Sequence, residues 1–225
     1  MSSAKWTVGS VSELVSRIRS RKDEELWMRG VEISDRNIAI VANALIENPS
    51  LEELWLSDCE ISDVGAQEIA RFLSHPNCSL RFLNLSGNNI SGTGATVIFE
   101  ALEQNKCLQS IFLNSNKIGD EGASAVAKFL SKNVWLRELY LWDNGVTDNG
   151  AQLIADGLLF NKVLTKCELD NGDEDETNYV NDKTILHTIE VYCARNLVNA
   201  RVRLAHRDSS TYRRVEDVQK DFEKV

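Results

Sequence analysis

Leu136-Arg137-Glu138-Leu139-Tyr140-Leu141-Trp142-Asp143-Asn144-Gly145-Val146 is one copy of a phrase that this chain repeats. The same pattern, LxxLxLxxN/CxI, stands 28 residues earlier at Leu108–Ile118. It recurs at Leu80–Ile90 and Leu51–Ile61, and it fades at Leu164–Leu169. The alternation around Leu54-Trp55-Leu56 is the period-two signature of a short strand. The second half of each repeat is helical in spacing. Gly65-Ala66, Gly94-Ala95, Gly122-Ala123 and Gly150-Ala151 hold one offset, followed by Ile69-Ala70-Leu73 and its counterparts. Asp63, Asp120 and Asp148 precede the glycines and suit a helix N-terminus.

A strand followed by a helix, repeated, cannot hide its apolar faces alone, and stacking the units hides them. Strands neighbour one another at about 4.8 Å and helices at about 8–10 Å. The mismatch bends the stack into a horseshoe, with a parallel sheet on the concave side and helices on the convex side. The expected fold is therefore an α/β solenoid. Its repeats run 23–50, 51–79, 80–107, 108–135 and 136–163, with a last strand at 164–169. The second repeat is one residue longer, around His75-Pro76-Asn77.

The ends differ from the repeats. Residues 1–22 read as an N-terminal helical cap, with Ser10 and Glu13 as a capping box and Leu14, Val15 and Ile18 on one face. Residues 170–225 read as an acidic loop (Asp170 to Glu176), a C-terminal cap helix from about Lys183 to Ala200, and a basic tail. The helix carries the stripe Ile185, Leu186, Ile189, Tyr192, Cys193, Leu197 and Val198, which also suits self-association. Six arginines lie between Arg195 and Arg214.

Composition narrows the function. The chain has 225 residues, 43% of them hydrophobic and 26% charged, with a formal charge of -9. That charge opposes a nucleic-acid partner. No run of about 18 apolar residues occurs, so no membrane partner is expected. Met1–Ser10 lacks the form of a signal peptide, and the 5 cysteines are scattered without a CxxC, so a reduced, cytoplasmic location is expected. The 3 histidines, His75, His187 and His206, have no metal-ligand spacing; no GxSxG or GxxxxGK[ST] is present; the frame of DNGDEDE does not fit a calcium loop. The expectation is a protein that is not an enzyme and needs no cofactor or metal.

The phrase LxxLxLxxN/CxI joined to an outer helix at a 28–29 residue period resembles the ribonuclease-inhibitor class of leucine-rich repeats. Similar repeats occur in ribonuclease inhibitor, in NOD-like receptors and in the GTPase-activating protein of Ran. The resemblance covers about residues 23–169 and implies a scaffold that binds a protein partner through its concave strands. Regulation of a small GTPase is the alternative it implies, and Arg36 sits in an early strand-to-helix segment.

Strand alternation nominates the concave face itself. The residues that leave it include Trp27, Trp55, Phe82, Phe112, Tyr140 and Trp142, with Arg81 and Arg137 beside them. The leucines supply the core, so these rings are free to form an interface. Arg81 and Arg137 suit partner carboxylates, or equally the neighbouring Glu52 and Glu138. An open arc without a deep pocket is a poor site for small molecules.

Overall fold

Each leucine phrase forms a strand, and the strands stack in chain order. The computed structural model describes residues 7–33, 35–170 and 180–207. The order is β1 (Thr7–Val8), α1 (Val11–Ser20), β2 (Glu25–Arg29), α2 (Asp35–Glu47), β3 (Glu53–Ser57) and α3 (Asp63–Leu73). It continues with β4 (Phe82–Asn84), α4 (Gly92–Leu102), β5 (Ser110–Phe112), α5 (Gly119–Leu130), β6 (Glu138–Tyr140), α6 (Asp148–Leu158), β7 (Lys166–Glu168) and α7 (Lys183–Arg207). Among the described residues the seven strands make one sheet in sequence order, every pair parallel. Leu26, Leu54, Leu83, Ile111, Leu139 and Cys167 stand opposite one another across six strands.

The core lies between sheet and helices. Leu54, Leu56, Leu83, Leu85, Ile111, Leu113, Leu139 and Leu141 are buried, as are Ala66, Ala95, Ala123 and Ala151. Before Ala95, Ala123 and Ala151 the glycine is a matter of space. A Cβ on Gly94 would strike the Asp63 carboxylate and Ile90, and one on Gly150 would strike Asp120 and Val146.

The turn after each strand is held by a buried asparagine. Asn116 Nδ2 donates to Leu85 O at 3.0 Å and to Leu113 O at 2.9 Å, while its Oδ1 accepts from Ile90 N at 3.1 Å. Asn88 and Asn144 repeat the arrangement. Cys59 fills the slot in the second repeat, where its Sγ reaches Ser57 O at 3.3 Å and Met28 O at 3.7 Å. A second asparagine series, which the repeat phrase does not include, holds the helix-to-strand loops. Asn105 Nδ2 donates to Leu73 O at 2.7 Å and Asn161 Nδ2 to Leu130 O at 2.7 Å. In the same loops Asn105 Oδ1 accepts from Leu108 N, and Asn161 Oδ1 from Leu164 N.

Four details depart from the reading of the sequence. A two-residue strand, β1, precedes α1 and extends the sheet by pairing with β2. Asp63, Asp120 and Asp148 lie in the first turns of α3, α5 and α6 as expected, but the side-chain caps of α3, α4 and α6 are Ser62, Ser91 and Thr147. The Asp63 and Asp120 carboxylates reach the next repeat instead, where Asp63 accepts from Ser91 N and Oγ and Asp120 from Thr147 N and Oγ1. The C-terminal helix runs on to Arg207 rather than ending near Ala200. Its buried stripe continues through Asn196, which is fully buried and donates to Leu164 O at 2.8 Å, while Leu197 is exposed.

Both ends of the stack are covered by helix. In α1, Ser10 Oγ accepts from Glu13 N, Glu13 Oε2 accepts from Gly9 N, and Leu14, Val15 and Ile18 are buried. In α7, Ile185, Ile189 and Cys193 are buried. Arg195 donates to Leu158 O, Leu159 O and Asn161 O, the carbonyls that end α6. The acidic loop beyond Asp170 and the tail beyond Arg207 lie outside the described residues.

Asn116→Ala strips hydrogen bonds from four buried backbone groups at once. It is expected to lower stability by about 3 kcal/mol, read as a reduced urea midpoint with unchanged slope. Cys59→Ala, which removes only weak sulfur bonds, is expected to cost less.

Candidate protein-binding face

The in-register strands bring side chains 28 or 29 residues apart directly alongside one another on the concave side. Trp27 faces Trp55, and Phe112 faces Tyr140. The Trp27 and Trp55 rings stack at 3.8 Å and 10°, the Phe112 and Tyr140 rings at 3.9 Å and 14°. Between these two stacks the strand register places Asn84, which has no ring. Phe82, two residues back on the same face, leans across and fills the gap. Its ring lies 4.5 Å from Trp55 and 4.9 Å from Phe112. A continuous ladder of five rings results, all half-buried. The alternation puts Phe82 on this face, but its place in the ladder follows from the vacancy at position 84.

The ladder ends on a cation. Lys166 Nζ lies 5.0 Å from the Tyr140 ring centre and 2.8 Å from Glu168. Burial, reinforced by Glu138, raises the Tyr140 phenol above its ordinary pKa, and Lys166 opposes that rise. Of the two candidate arginines, Arg81 pairs sideways with Glu52 at 3.6 Å. Arg137 is exposed and makes no ion pair among the described residues. Arg36 lies in the first turn of α2, and its side chain is outside the described residues.

The arc is not featureless. A cleft of about 450 Å³ runs beside the ladder, lined by Arg29, Trp55, Asp58, Ser86, Asn114 and Trp142 among others. The cleft exists because the backbone reverses after each strand through a residue in the left-handed region. These residues are Gly30, Asp58, Gly87, Ser115 and Asp143, with φ between 52° and 69°. Gly87 must be glycine, since a Cβ there would collide with the Asp58 carboxylate. Arg29 donates to Asp58 at 2.8 Å at one end of the cleft. Trp142 stands at the other and makes no ring contact among the described residues. Among the described residues, Trp55 Nε1, Ser86 Oγ and Asn114 Oδ1 are buried along the cleft without a hydrogen-bond partner from the protein. Elsewhere the interior asparagines are bonded as described above. Ser86 and Asn114 were legible as face positions. Nothing in their residue types marked them as cleft residues, although the periodic Gly/Asp/Gly/Ser/Asp of the turns was a signal.

His187 is exposed on α7, whereas Cys193 is buried and its thiol is pushed up to about 12 by burial. Among the described residues no group of three His, Cys, Asp or Glu could hold a metal ion, and no helix is long and apolar enough to cross a membrane.

The model of the leucine-rich repeat family matches residues 47–70, 77–99, 104–127 and 132–155. These four stretches fall on the stacked strand–helix units, in register with the asparagine turns. The fold is a leucine-rich repeat solenoid. A search of curated sequences finds no match. Two solved structures resemble the chain over most of its length. One is described as leiomodin-1 actin-binding site 2, with 19% identity, a TM-score of 0.59, and coverage of 91% of this chain and 99% of that one. The other is the tropomodulin C-terminal domain of Caenorhabditis elegans, with 13% identity, a TM-score of 0.58, and coverage of 88% and 99%. At these identities the likeness is one of fold.

The cation at the end of the ladder has a measurable signature. Lys166→Met removes the charge that stabilises the phenolate, so the Tyr140 pKa is expected to rise further in an ultraviolet difference titration. An unchanged or lowered Tyr140 titration would mean that Lys166 does not sit over that ring in solution.

Proposed function

We propose that this leucine-rich repeat chain is a non-enzymatic interaction module that binds a protein partner through its concave sheet. The observation that carries this reading is the half-exposed ladder Trp27, Trp55, Phe82, Phe112 and Tyr140, flanked by Trp142, Arg81 and Arg137. The core beneath is complete in leucine and isoleucine, so the rings are not needed to fill it. A contiguous apolar strip with aromatic and arginine edges is the composition of an interface centre. The five cysteines are all unpaired thiols, which supports a reduced, cytoplasmic setting.

A second reading concerns the partner. The likeness to the leiomodin-1 fragment extends over 91% of this chain, so it takes in terminal elements as well as repeats. That extent favours actin as a candidate. Self-association is the remaining alternative, through the exposed Val191 and Leu197 of α7.

Two experiments test these readings. The triple variant Trp55→Ala, Phe112→Ala, Tyr140→Ala is expected to keep its far-ultraviolet circular dichroism and to lose the partner that the wild type captures from lysate. Retention of that partner by a folded triple variant would overturn the concave-face reading. Co-sedimentation with filamentous actin is expected to carry the wild type, and not the triple variant, into the pellet at micromolar concentrations. A wild type that stays in the supernatant and does not retard actin polymerisation removes actin as the partner.

A further inference from the structure

The cleft beside the ladder has a length, a floor and two unlike ends. Arg29 belongs to β2 and Trp142 follows β6, so the cleft crosses four strand spacings, about 19 Å at about 4.8 Å each. An extended chain covers about 3.3 Å per residue, so roughly six residues fit that length. Trp55, Ser86 and Asn114 line the cleft, and beneath its surface Trp55 Nε1, Ser86 Oγ and Asn114 Oδ1 have no hydrogen-bond partner among the described residues. Asn114 is only 6% exposed. Buried polar groups are normally hydrogen-bonded, and a peptide group offers one donor and one acceptor to groups of this kind. At the Arg29 end the charges are mutually satisfied. At the other end, Trp142 has no ring neighbour and the next residue, Asp143, makes no ion pair among the described residues. An aromatic ring beside a carboxylate attracts a cation. The chain itself uses that chemistry where Lys166 lies against Tyr140 and Glu168.

Resting on the reading of the concave face as a protein-binding surface, we propose that this cleft seats an extended segment of about six residues from the partner. Its middle is uncharged and meets Ser86 and Asn114, and an arginine or lysine at one end meets Trp142 and Asp143. The net charge of -9 suits such a segment. A glycan fits less well, because the ladder rings turn their faces to one another, at 10° and 14° within the two tight pairs. Sugar rings need open aromatic faces.

The test uses the full chain and a positional-scanning library of hexapeptides, acetylated and amidated at their ends, read by fluorescence polarisation. The expected result is selection of uncharged residues at the middle positions and of arginine or lysine at one terminal position. Asn114→Ala is expected to weaken the selected peptide about tenfold. Trp142→Ala with Asp143→Asn is expected to erase the basic preference alone. If Asn114→Ala fails to fold, Ser86→Ala takes its place, with the same direction expected. Selection without a basic preference, or indifference to these variants, overturns the proposal. So does binding to a glycan array in place of peptides. Tighter binding of a synthetic peptide of residues 208–225 than of any library peptide overturns it too, since a second copy would then be the occupant. If no hexapeptide is selected while the wild type still captures a partner that the triple variant loses, the cleft proposal falls and the concave-face reading stands. If both fail, both fall.

Discussion

Everything in this molecule depends on backbone hydrogen bonds that one repeat supplies to the next. Strands at about 4.8 Å and helices at about 8–10 Å cannot be joined by regular structure. The connecting turns are therefore irregular, and they are buried under the next repeat. Their N–H and C=O groups would be costly to leave unpaired. Asn88, Asn116 and Asn144 resolve this by donating to carbonyls in two consecutive repeats while accepting from amides in the preceding repeat's turn. On the opposite edge Asn105 and Asn161 donate to carbonyls of the preceding repeat and accept from the amides of their own loops. The carboxylates of Asp63 and Asp120 tie the start of one helix to the cap of the next. A repeat unit is stable only in the company of its neighbours, which is why the end helices matter as much as the leucines.

That division of labour frees the concave side. Because leucines and asparagines complete the interior, the alternate strand positions carry no structural duty. They hold rings, and in-register stacking fuses the rings into a strip. The strip is rigid, since each ring is braced by the next. A preorganised apolar strip loses little conformational entropy when a partner covers it. The adjoining turns add polarity: left-handed residues at Asp58, Ser115 and Asp143 place side chains where glycine would have left none. Non-glycine residues in that region carry backbone strain, and here they lie along the candidate site rather than in the core.

Much of this was legible beforehand because the repeat is periodic. Leucine alternation set the strand positions. The asparagine or cysteine slot marked the buried turn, and the glycine–alanine pair marked where helices approach. The face positions of Trp27, Trp55, Phe112, Tyr140 and Trp142 followed from the same alternation. Where periodicity ended, the reading weakened. The strand at Thr7–Val8 is too short to carry a pattern. In α7 the apolar stripe pointed to Leu197, but the helix meets the last loop through Asn196 and Arg195, which donate to carbonyls of another element.

The sequence by itself determined the solenoid, its register and which residues stand on the concave face, because each of these is a local periodicity imposed by backbone geometry. Only the tertiary structure decided what those residues do to one another. Phe82 enters the ladder because Asn84 leaves room. Arg81 turns to Glu52 while Arg137 stays open, and the turns leave a cleft with polar atoms beneath its surface that lack partners among the described residues. These outcomes depend on distances between neighbouring repeats, and one repeat's sequence does not contain the position of its neighbour's side chains.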